Sequence, residues 1–408
     1  MTVSHVWTRS LAAVFVSVVT VTSFSRPVLA NGRAGQREAV DTSAIVPFDE
    51  FSPAFLGVYR KVMEIEADIL KYSKKYGVDP SLARAVCMYE SGGNANLTSG
   101  AGARGYFQVM PATFRLLRVP TNIEAGIKYL GQMVEQFGRE DYALAAYNGG
   151  PGRVARGRAM PLESLQYVLG VGSYRSVLKV YEPSVRAHAA ELGLVTSRTG
   201  DDWWTLSRRL EVPLIQLRLY NPFLTDQRLT HDSHLIAYPR HPRPDLFAVT
   251  EDGRLQYRAR IGDNYFNLAF AFGADLDQLR TWNELWRLQL LTPGMVLTIP
   301  PDSTDMFTEH RVRVGEELTT VAARLQADPW QIIRDNNLWD EQVREGMMLR
   351  IRLVPPPPAF VVHRVSRGEN LSTIARRYGT SIKAIQSANS LGSRTVIRIG
   401  ERLRIPTS

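Results

Sequence analysis

The sequence predicts a multidomain chain, with one mostly α-helical domain followed by a run of small β-α-α-β units. Three observations carry this expectation. Residues from about 55 to 195 hold helical apolar patterns (Val58–Lys75, Pro80–Glu90, Asn122–Phe137, Tyr142–Tyr147 and Tyr174–Leu192) punctuated by Gly, Asn and Ser. Gly262, Gly315 and Gly368 then recur every 53 residues, and Asn283, Asn336 and Asn389 each follow 21 residues later. Proline-rich stretches at 239–244, 300–301 and 355–358 separate the units.

The first segment sets the compartment. Leu11–Val21 is an apolar run preceded by Arg9, too short for a membrane-spanning helix, which needs about 20 apolar residues. Val28-Leu29-Ala30 places small residues where a signal peptidase reads, so residues 1–30 are expected to be a Sec-type signal peptide. No cysteine stands near that point, which argues against a lipoprotein anchor. Residues 31–50 lack a period and read as a flexible leader.

Composition narrows the rest. At 408 residues, 44% hydrophobic and 22% charged, the chain can bury cores and is not globally disordered. Lys plus Arg number 49 against 40 Asp plus Glu, a net charge of +9. A basic balance suits a polyanion such as nucleic acid, anionic lipid or an acidic wall polymer. Export out of the cytoplasm removes nucleic acid from that set, and the sequence has no phosphate-binding loop of the Walker type. The single Cys87 excludes an internal disulfide framework, and the histidines form no metal-ligand spacing, so neither a metal nor a cofactor is expected.

The helical domain occupies residues 51–195. In its second helix, Asp79 suits the N-cap, Pro80 the first turn, and Gly92-Gly93 the stop. Ala83, Val86, Cys87 and Glu90 fall on one helical stripe, which carries Glu90 to the apolar side. Burial and a helix C-terminus both disfavour a carboxylate, so such a group holds its proton near neutral pH, as a general acid must. On this helix alone, a Glu90 pointing into water over a frayed last turn is an equal reading. Beyond it, the Gly/Ala-rich turn from Ser99 to Gly105 leads to Gln108, and ALAAYNGG places Tyr147 and Asn148 at a helix end.

The repeats keep their chemistry column by column. A fourth, earlier copy has Gly200 and Asn221 at the same offset of 21. The residue after each Gly is acidic (Asp201, Asp263, Glu316, Glu369), a charge that suits the dipole of the helix that follows. The repeated Asn reads as a helix cap or turn former, and most of the tryptophans as module core. The units are assigned to 196–240, 250–301, 308–353 and 361–406, the first without an evident opening strand, and are expected to hang as beads on a stiffened string. The last is strongly basic, with nine Lys/Arg and two Glu over residues 363–408.

Two resemblances rest on these residues. HRVRVGEELTTVAARLQADPWQIIRDNNL and HRVSRGENLSTIARRYGTSIKAIQSANSL resemble LysM modules, the 250–301 copy does so more weakly, and the 196–240 copy is degenerate. The likeness implies binding to N-acetylglucosamine-containing glycans through a groove near the helix start and the helix-to-strand turn. Glu90-Ser91, then Gly-Ala-x-Gly-x-x-Gln, then Ala-Tyr-Asn-x-Gly resemble the lytic transglycosylase domain of the soluble type, related in fold to goose-type lysozyme. With the repeats attached, the chain is similar to the D-type membrane-bound murein transglycosylases. The resemblance implies that Glu90 is the catalytic acid and base. It implies substrate contacts from Ser91, Ser99, Gln108, Tyr147, Asn148 and Tyr174, the last as the match to a Tyr-Val motif of the cleft.

The activity implied is non-hydrolytic cleavage of the β-1,4 bond between N-acetylmuramic acid and N-acetylglucosamine, giving 1,6-anhydromuramyl ends. The partner implied is the peptidoglycan glycan strand, in the periplasm or at the wall, with no transmembrane anchor. A hydrolytic muramidase of the same fold and a non-catalytic wall-binding protein are the alternatives. The first needs a second carboxylate, and the second an idle position 90.

Overall fold

The computed structural model describes residues 46–406 except 158, 225–232, 252–253, 275, 287, 300–306, 340–341, 353–359, 367–368, 379, 390 and 393. The expected signal peptide, most of the leader, and the spacers at 300–301 and 355–358 lie outside the described residues. No helix among the described residues is long and apolar enough to cross a membrane.

The helical domain is built around α3 (Pro80–Ser91). Asp79 caps it by accepting from the Ser81 amide, Pro80 occupies the first turn, and Gly92 ends it at φ 59°. Ser81 to Met88 are buried on every face of the helix. It is therefore a central helix, flanked by α1 (Pro53–Val62), α2 (Glu66–Tyr76) and the 30-residue α8 (Leu162–Glu191). The buried Arg84 is matched by Glu66 at 2.5 Å and Glu182 at 3.1 Å. The remaining helices are α4 (Pro111–Leu117), α5 (Asn122–Phe137), α6 (Glu140–Gly149) and α7 (Pro151–Ala155). Residues 46–50, assigned to the leader, are fastened to this body: the Val46 amide donates to Ser184 Oγ, and Asp49 pairs with Arg243 at 2.7 Å.

Four repeat units follow. The degenerate copy has the opening strand that its sequence hides. Gly193–Thr196 (β1) pairs antiparallel with Leu235–Tyr238 (β2) around α9 (Trp203–Leu210) and α10 (Leu214–Leu219). The sequence hides this strand because GLVT follows α8 almost directly and begins inside the 51–195 segment expected to be helical. The second unit adds an edge strand, β3 (Phe247–Val249), to β4 (Leu255–Arg258) and β5 (Val296–Ile299), with α11 (Tyr265–Ala271) and α12 (Leu276–Trp282) between. The third joins β6 (Phe307–Arg311) to β7 (Met348–Arg352) around α13 (Leu318–Arg324) and α14 (Pro329–Asp335). The fourth joins β8 (Phe360–Arg364) to β9 (Arg402–Pro406) around α15 (Leu371–Arg377) and α16 (Ile382–Ala388).

The repeated residues do structural work. In every copy the Asn amide nitrogen donates to the carbonyl four residues back and to a carbonyl of the closing strand. Its oxygen accepts the amide of that same strand residue. The partners are Leu217 and Ala237 for Asn221, Leu279 and Thr298 for Asn283, Ile332 and Arg350 for Asn336, and Ile385 and Arg404 for Asn389. One side chain thus laces the second helix to the closing strand. The acidic column differs from its expected role at the helix start. Asp201, Asp263, Glu316 and Glu369 each accept the amide three residues before and close the turn. The cap is the next residue along (Asp202, Asn264, Glu317 or Asn370).

Nor do the first three copies hang loose. Their apolar residues form one continuous core, whereas the fourth has its own. Arg218 lies over the Trp330 ring at 3.4 Å, Trp204 meets Trp330 at 5.4 Å, and Phe272 meets Trp339 at 5.6 Å. The proline-rich 239–244 segment is clasped in place of serving as a spacer, since Arg243 exchanges both backbone hydrogen bonds with the Gln216 amide. Trp203, Trp330 and Trp339 are buried core, while Trp286 is exposed.

Lys61 of α1 is completely buried, and its Nζ donates to Asn94 Oδ1 at 3.4 Å. Burial pushes its pKa down to about 7 from the ordinary 10.5. The unfolded chain therefore binds this proton more readily, and stability must rise with pH between those values. Urea unfolding followed from pH 7 to 9 is expected to show that rise in the wild type. Lys61→Met should be more stable at pH 7 and lack the slope; equal slopes in the two proteins would contradict the assignment.

Candidate active site

Glu90 sits in the last turn of α3 at the rim of the domain core, partly buried. Tyr167 of α8 donates its hydroxyl to Glu90 Oε1 at 2.7 Å. Tyr89 stands edge-on to Tyr167, with ring centroids 5.5 Å apart, and Tyr147 of α6 is buried close enough to interact with the carboxyl charge. Burial pushes the Glu90 pKa up to about 7, and the Tyr167 hydrogen bond partly offsets that rise. A carboxyl so placed is half protonated near neutrality and exchanges its proton in either direction at little cost.

The turn after Glu90 is rigidly held. Ser91 is fully buried and donates from Oγ to the Tyr106 carbonyl at 2.8 Å, so it fastens the turn and offers no face to a ligand. Asn94 donates to the Ser91 carbonyl at 2.6 Å and accepts from Lys61. The following loop is bound by Ser99, whose hydroxyl accepts the Ala103 amide at 3.0 Å, and by Gln108. Gln108 adopts φ 45°, a strained value for a side chain-bearing residue, and its amide nitrogen donates to the Leu97 and Gly105 carbonyls. Only its oxygen is left for a ligand, so it can accept from a sugar but not donate.

Three other expected site residues have their polar groups engaged elsewhere. Tyr147 stands near the carboxyl as expected, but its hydroxyl donates to the Phe107 carbonyl at 2.8 Å instead of orienting Glu90, which leaves its ring as a wall of the site. Asn148 is exposed and accepts from Ser164 Oγ at 2.9 Å, so in this conformation it braces α8. Tyr174 is 2% exposed, and its hydroxyl accepts from both Asn264 and Asn267, which removes it from a ligand's reach. The residue that orients the carboxyl is Tyr167. Its signal was available, because Tyr167-Val168 is a literal Tyr-Val pair two helical turns before Tyr174.

The other acids of the domain are engaged elsewhere or exposed. Glu124 is held by Lys75 and Tyr76, Glu140 by Arg175 and Asp141 by Arg139, while Glu135 and Glu163 face solvent. Among the described residues no cluster of three or more His, Cys, Asp or Glu could hold a metal ion. Neither of two other cavities includes Glu90. One, of about 650 Å³, lies between residues 48–50 and the 239–245 segment. The other, of about 500 Å³, is lined by Leu318, Leu338 and Trp339 of the third repeat and Trp204 and Arg208 of the first.

Comparison with known proteins places these features. Residues 68–163 match the Transglycosylase SLT domain, and residues 257–300, 310–352 and 363–406 each match the LysM domain. The chain carries one of the former and three of the latter. The transglycosylase of Enterobacteria phage PRD1 is 43% identical over 84 residues, 19% of this chain and 32% of that protein. The soluble lytic murein transglycosylase of Salmonella typhimurium is 36% identical over 101 residues, 21% of this chain and 16% of that protein. The membrane-bound lytic murein transglycosylase D of Escherichia coli is 24% identical over 308 residues, 61% of this chain and 68% of that protein. The chain thus spans a third or less of the length of the first two relatives.

The raised Glu90 pKa has a consequence for stability. The folded carboxyl binds its proton more tightly than the unfolded one, so this contribution is complete below about 4.5 and is lost as pH rises through about 7. The neutral isostere in Glu90→Gln escapes that loss. It is expected to match the wild type at pH 4 and to exceed it at pH 8 by at most about 3 kcal/mol in denaturant unfolding. A variant less stable than wild type at pH 8 would show that the carboxyl is not held against its ionisation.

Proposed function

We propose that this protein is a peptidoglycan lytic transglycosylase and that Glu90 is its single acid and base. The observation that carries the reading is the lone Glu90 carboxyl, enclosed by Tyr89, Tyr147 and Tyr167 and poised near neutral pH. The SLT match over residues 68–163 and the murein transglycosylases among the relatives support it.

The chemistry balances with this one group. Protonated Glu90 gives its proton to the glycosidic oxygen as the bond from muramyl C1 breaks, and positive charge develops at C1. Tyr167 holds Oε1, which leaves Oε2 to carry the transferable proton. The resulting carboxylate takes the proton of the muramyl C6 hydroxyl, whose oxygen bonds to C1 and closes the 1,6-anhydro ring. The substrate's own N-acetyl carbonyl steadies the cation. No water enters, and Glu90 ends protonated, ready for the next bond. A retaining or inverting hydrolase would need a second carboxylate flanking the bond, at roughly 5–10 Å from the first. The engagement of Glu124, Glu140 and Asp141 in other pairs weighs against that reading.

The LysM domains hold the enzyme to N-acetylglucosamine-containing strands. Export through the signal peptide at residues 1–30 delivers it to the periplasm or the wall. The basic last module gains further attraction from stem-peptide carboxylates.

Mass spectrometry of digested murein is expected to find 1,6-anhydromuramyl ends; reducing ends about 18 Da heavier, the mass of one added water, would establish hydrolysis instead. Glu90→Gln should lower turnover by at least about 10²–10⁴-fold, and near-wild-type turnover would remove Glu90 from the mechanism. A chain ending at residue 360 should keep its turnover on soluble glycans but sediment less with intact sacculi; equal retention would show that the last module is not an anchor.

A further inference from the structure

We infer that Asn264 and Asn267 of the second repeat are positioning residues for Glu90, acting through Tyr174, Tyr89 and Tyr167. The inference rests on the reading of Glu90 as the acid, and it goes beyond wall binding for the repeats.

The path is a set of direct contacts. Tyr167 donates to Glu90, and its ring is set by the edge-on Tyr89. Tyr89 meets Tyr174 at 5.8 Å and lies so close on Gly170 of α8 that a β-carbon there would stand 2.2 Å from its ring. Tyr174 meets Phe55 of α1 edge-on at 4.9 Å. At its far end, the Tyr174 hydroxyl accepts from Asn264 Nδ2 at 2.8 Å and from Asn267 Nδ2 at 2.9 Å. Two donors on one phenolic oxygen fix both the tilt and the rotation of the ring. The donors are fixed in turn, because Asn264 Oδ1 accepts the Asn267 amide and caps α11.

The repeat is seated for this task. Ser52 donates its amide to Ile261, and Ile261 donates to Glu50, so the turn before α11 continues the first turn of the helical domain. Gly262 lies against Phe55, where a β-carbon would stand 2.6 Å from the ring. The first repeat packs on the turn that follows the acid, since Phe223 lies against Gly92, two residues after Glu90, with only 2.6 Å left for a β-carbon.

The sequence marks the position. At the column of Asn267, the other three copies carry Thr205, Thr320 and Thr373, each serving its own helix cap. Only the copy seated on Tyr174 has an amide there, long enough to reach outward and able to donate. The start of α11 is also the edge through which a LysM groove would take a glycan. In this copy that edge is occupied by the catalytic domain.

The titratable groups that interact with the Glu90 carboxyl are Tyr167 from α8, Tyr147 from α6, and Tyr89 and Cys87 from α3, with Arg280 of α12 acting on Tyr89. Loosening the tyrosine stack admits water to the carboxyl, and its pKa falls towards the ordinary value.

Asn267→Thr restores the residue of the other repeats and keeps the capping pattern while deleting the donor. In the full chain acting on sacculi, this variant and Tyr174→Phe should each lower kcat by about fivefold to tenfold with KM within about twofold. The alkaline limb of the rate profile should move to lower pH, and the double variant should be no worse than Tyr174→Phe alone. Sacculus binding should be unchanged. A wild-type kcat and pH profile in both variants would overturn the inference, whatever happens to thermal stability. Glu90→Gln in the same assay separates the two claims. If it is active, the acid assignment fails. If it is inactive while Asn267→Thr behaves as wild type, only the positioning role fails.

Discussion

A carboxyl holds its proton near neutral pH only where water is kept from it, and the burial of Glu90 meets that condition. Charge itself does little here. The shift comes from burial, and the one hydrogen bond Glu90 receives acts against it. A site tuned by dehydration is only as good as the closure of its walls. Those walls are three tyrosine rings, each large enough to exclude solvent and each needing something behind it to stay in place. Tyr147 is tied to the Phe107 carbonyl, Tyr167 to Glu90 itself, and Tyr89 rests on a glycine. The first and second repeats pack behind this site, at Gly92 and at Tyr174. A domain matched over residues 68–163 is thus backed by segments at Phe223 and Asn264, both beyond that match.

The repeat tolerates this second use because its framework is separate from its edges. The Asn that laces helix to strand and the acid that closes the turn are internal to each copy, so a copy can change its outward residues without losing its fold. The acid's partners show how far this goes. In the third and fourth repeats it faces a histidine and an arginine, His310 and Arg324 or His363 and Arg377. In the second, Tyr257 replaces the histidine and Ala271 stands where the arginine would be. That Asp263 is buried against the helical domain, where burial raises its pKa, and the Tyr257 hydroxyl donates to it at 2.9 Å without adding a charge.

Much of this was legible in the sequence, for identifiable reasons. Local rules gave the helices: Asp79, Pro80 and Gly92 bound α3 as caps and stops should. Helical spacing put Glu90 in line with the apolar stripe but left an outward-pointing side chain equally open, whereas the 53-residue spacing marked the repeats without any knowledge of their fold. What stayed hidden depends on contacts distant in sequence. Tyr167 lies 77 residues from Glu90, and its Tyr-Val pair alone does not say which face of α8 turns inward. Tyr174, two turns along, is equally aromatic and buried but serves an interface. Proline-rich composition suggested spacers, yet at 239–244 the backbone found a partner in Gln216 that composition does not announce.

The division between the repeats follows from the same physics. A module can wander on a tether only if it buries its own apolar residues. The fourth repeat does so, with Ile374, Ile385, Leu403 and Ile405 closed around one another. The first three share one core, so separating them would expose apolar surface at about 25 cal/mol for each Å² uncovered. Strong positive charge is concentrated in the self-sufficient copy, and under the proposed reading it can meet a polyanion there without bringing that field to the Glu90 carboxyl. Had the basic module been the one seated behind Tyr174, its cations would have favoured the carboxylate and worked against the burial that makes Glu90 an acid.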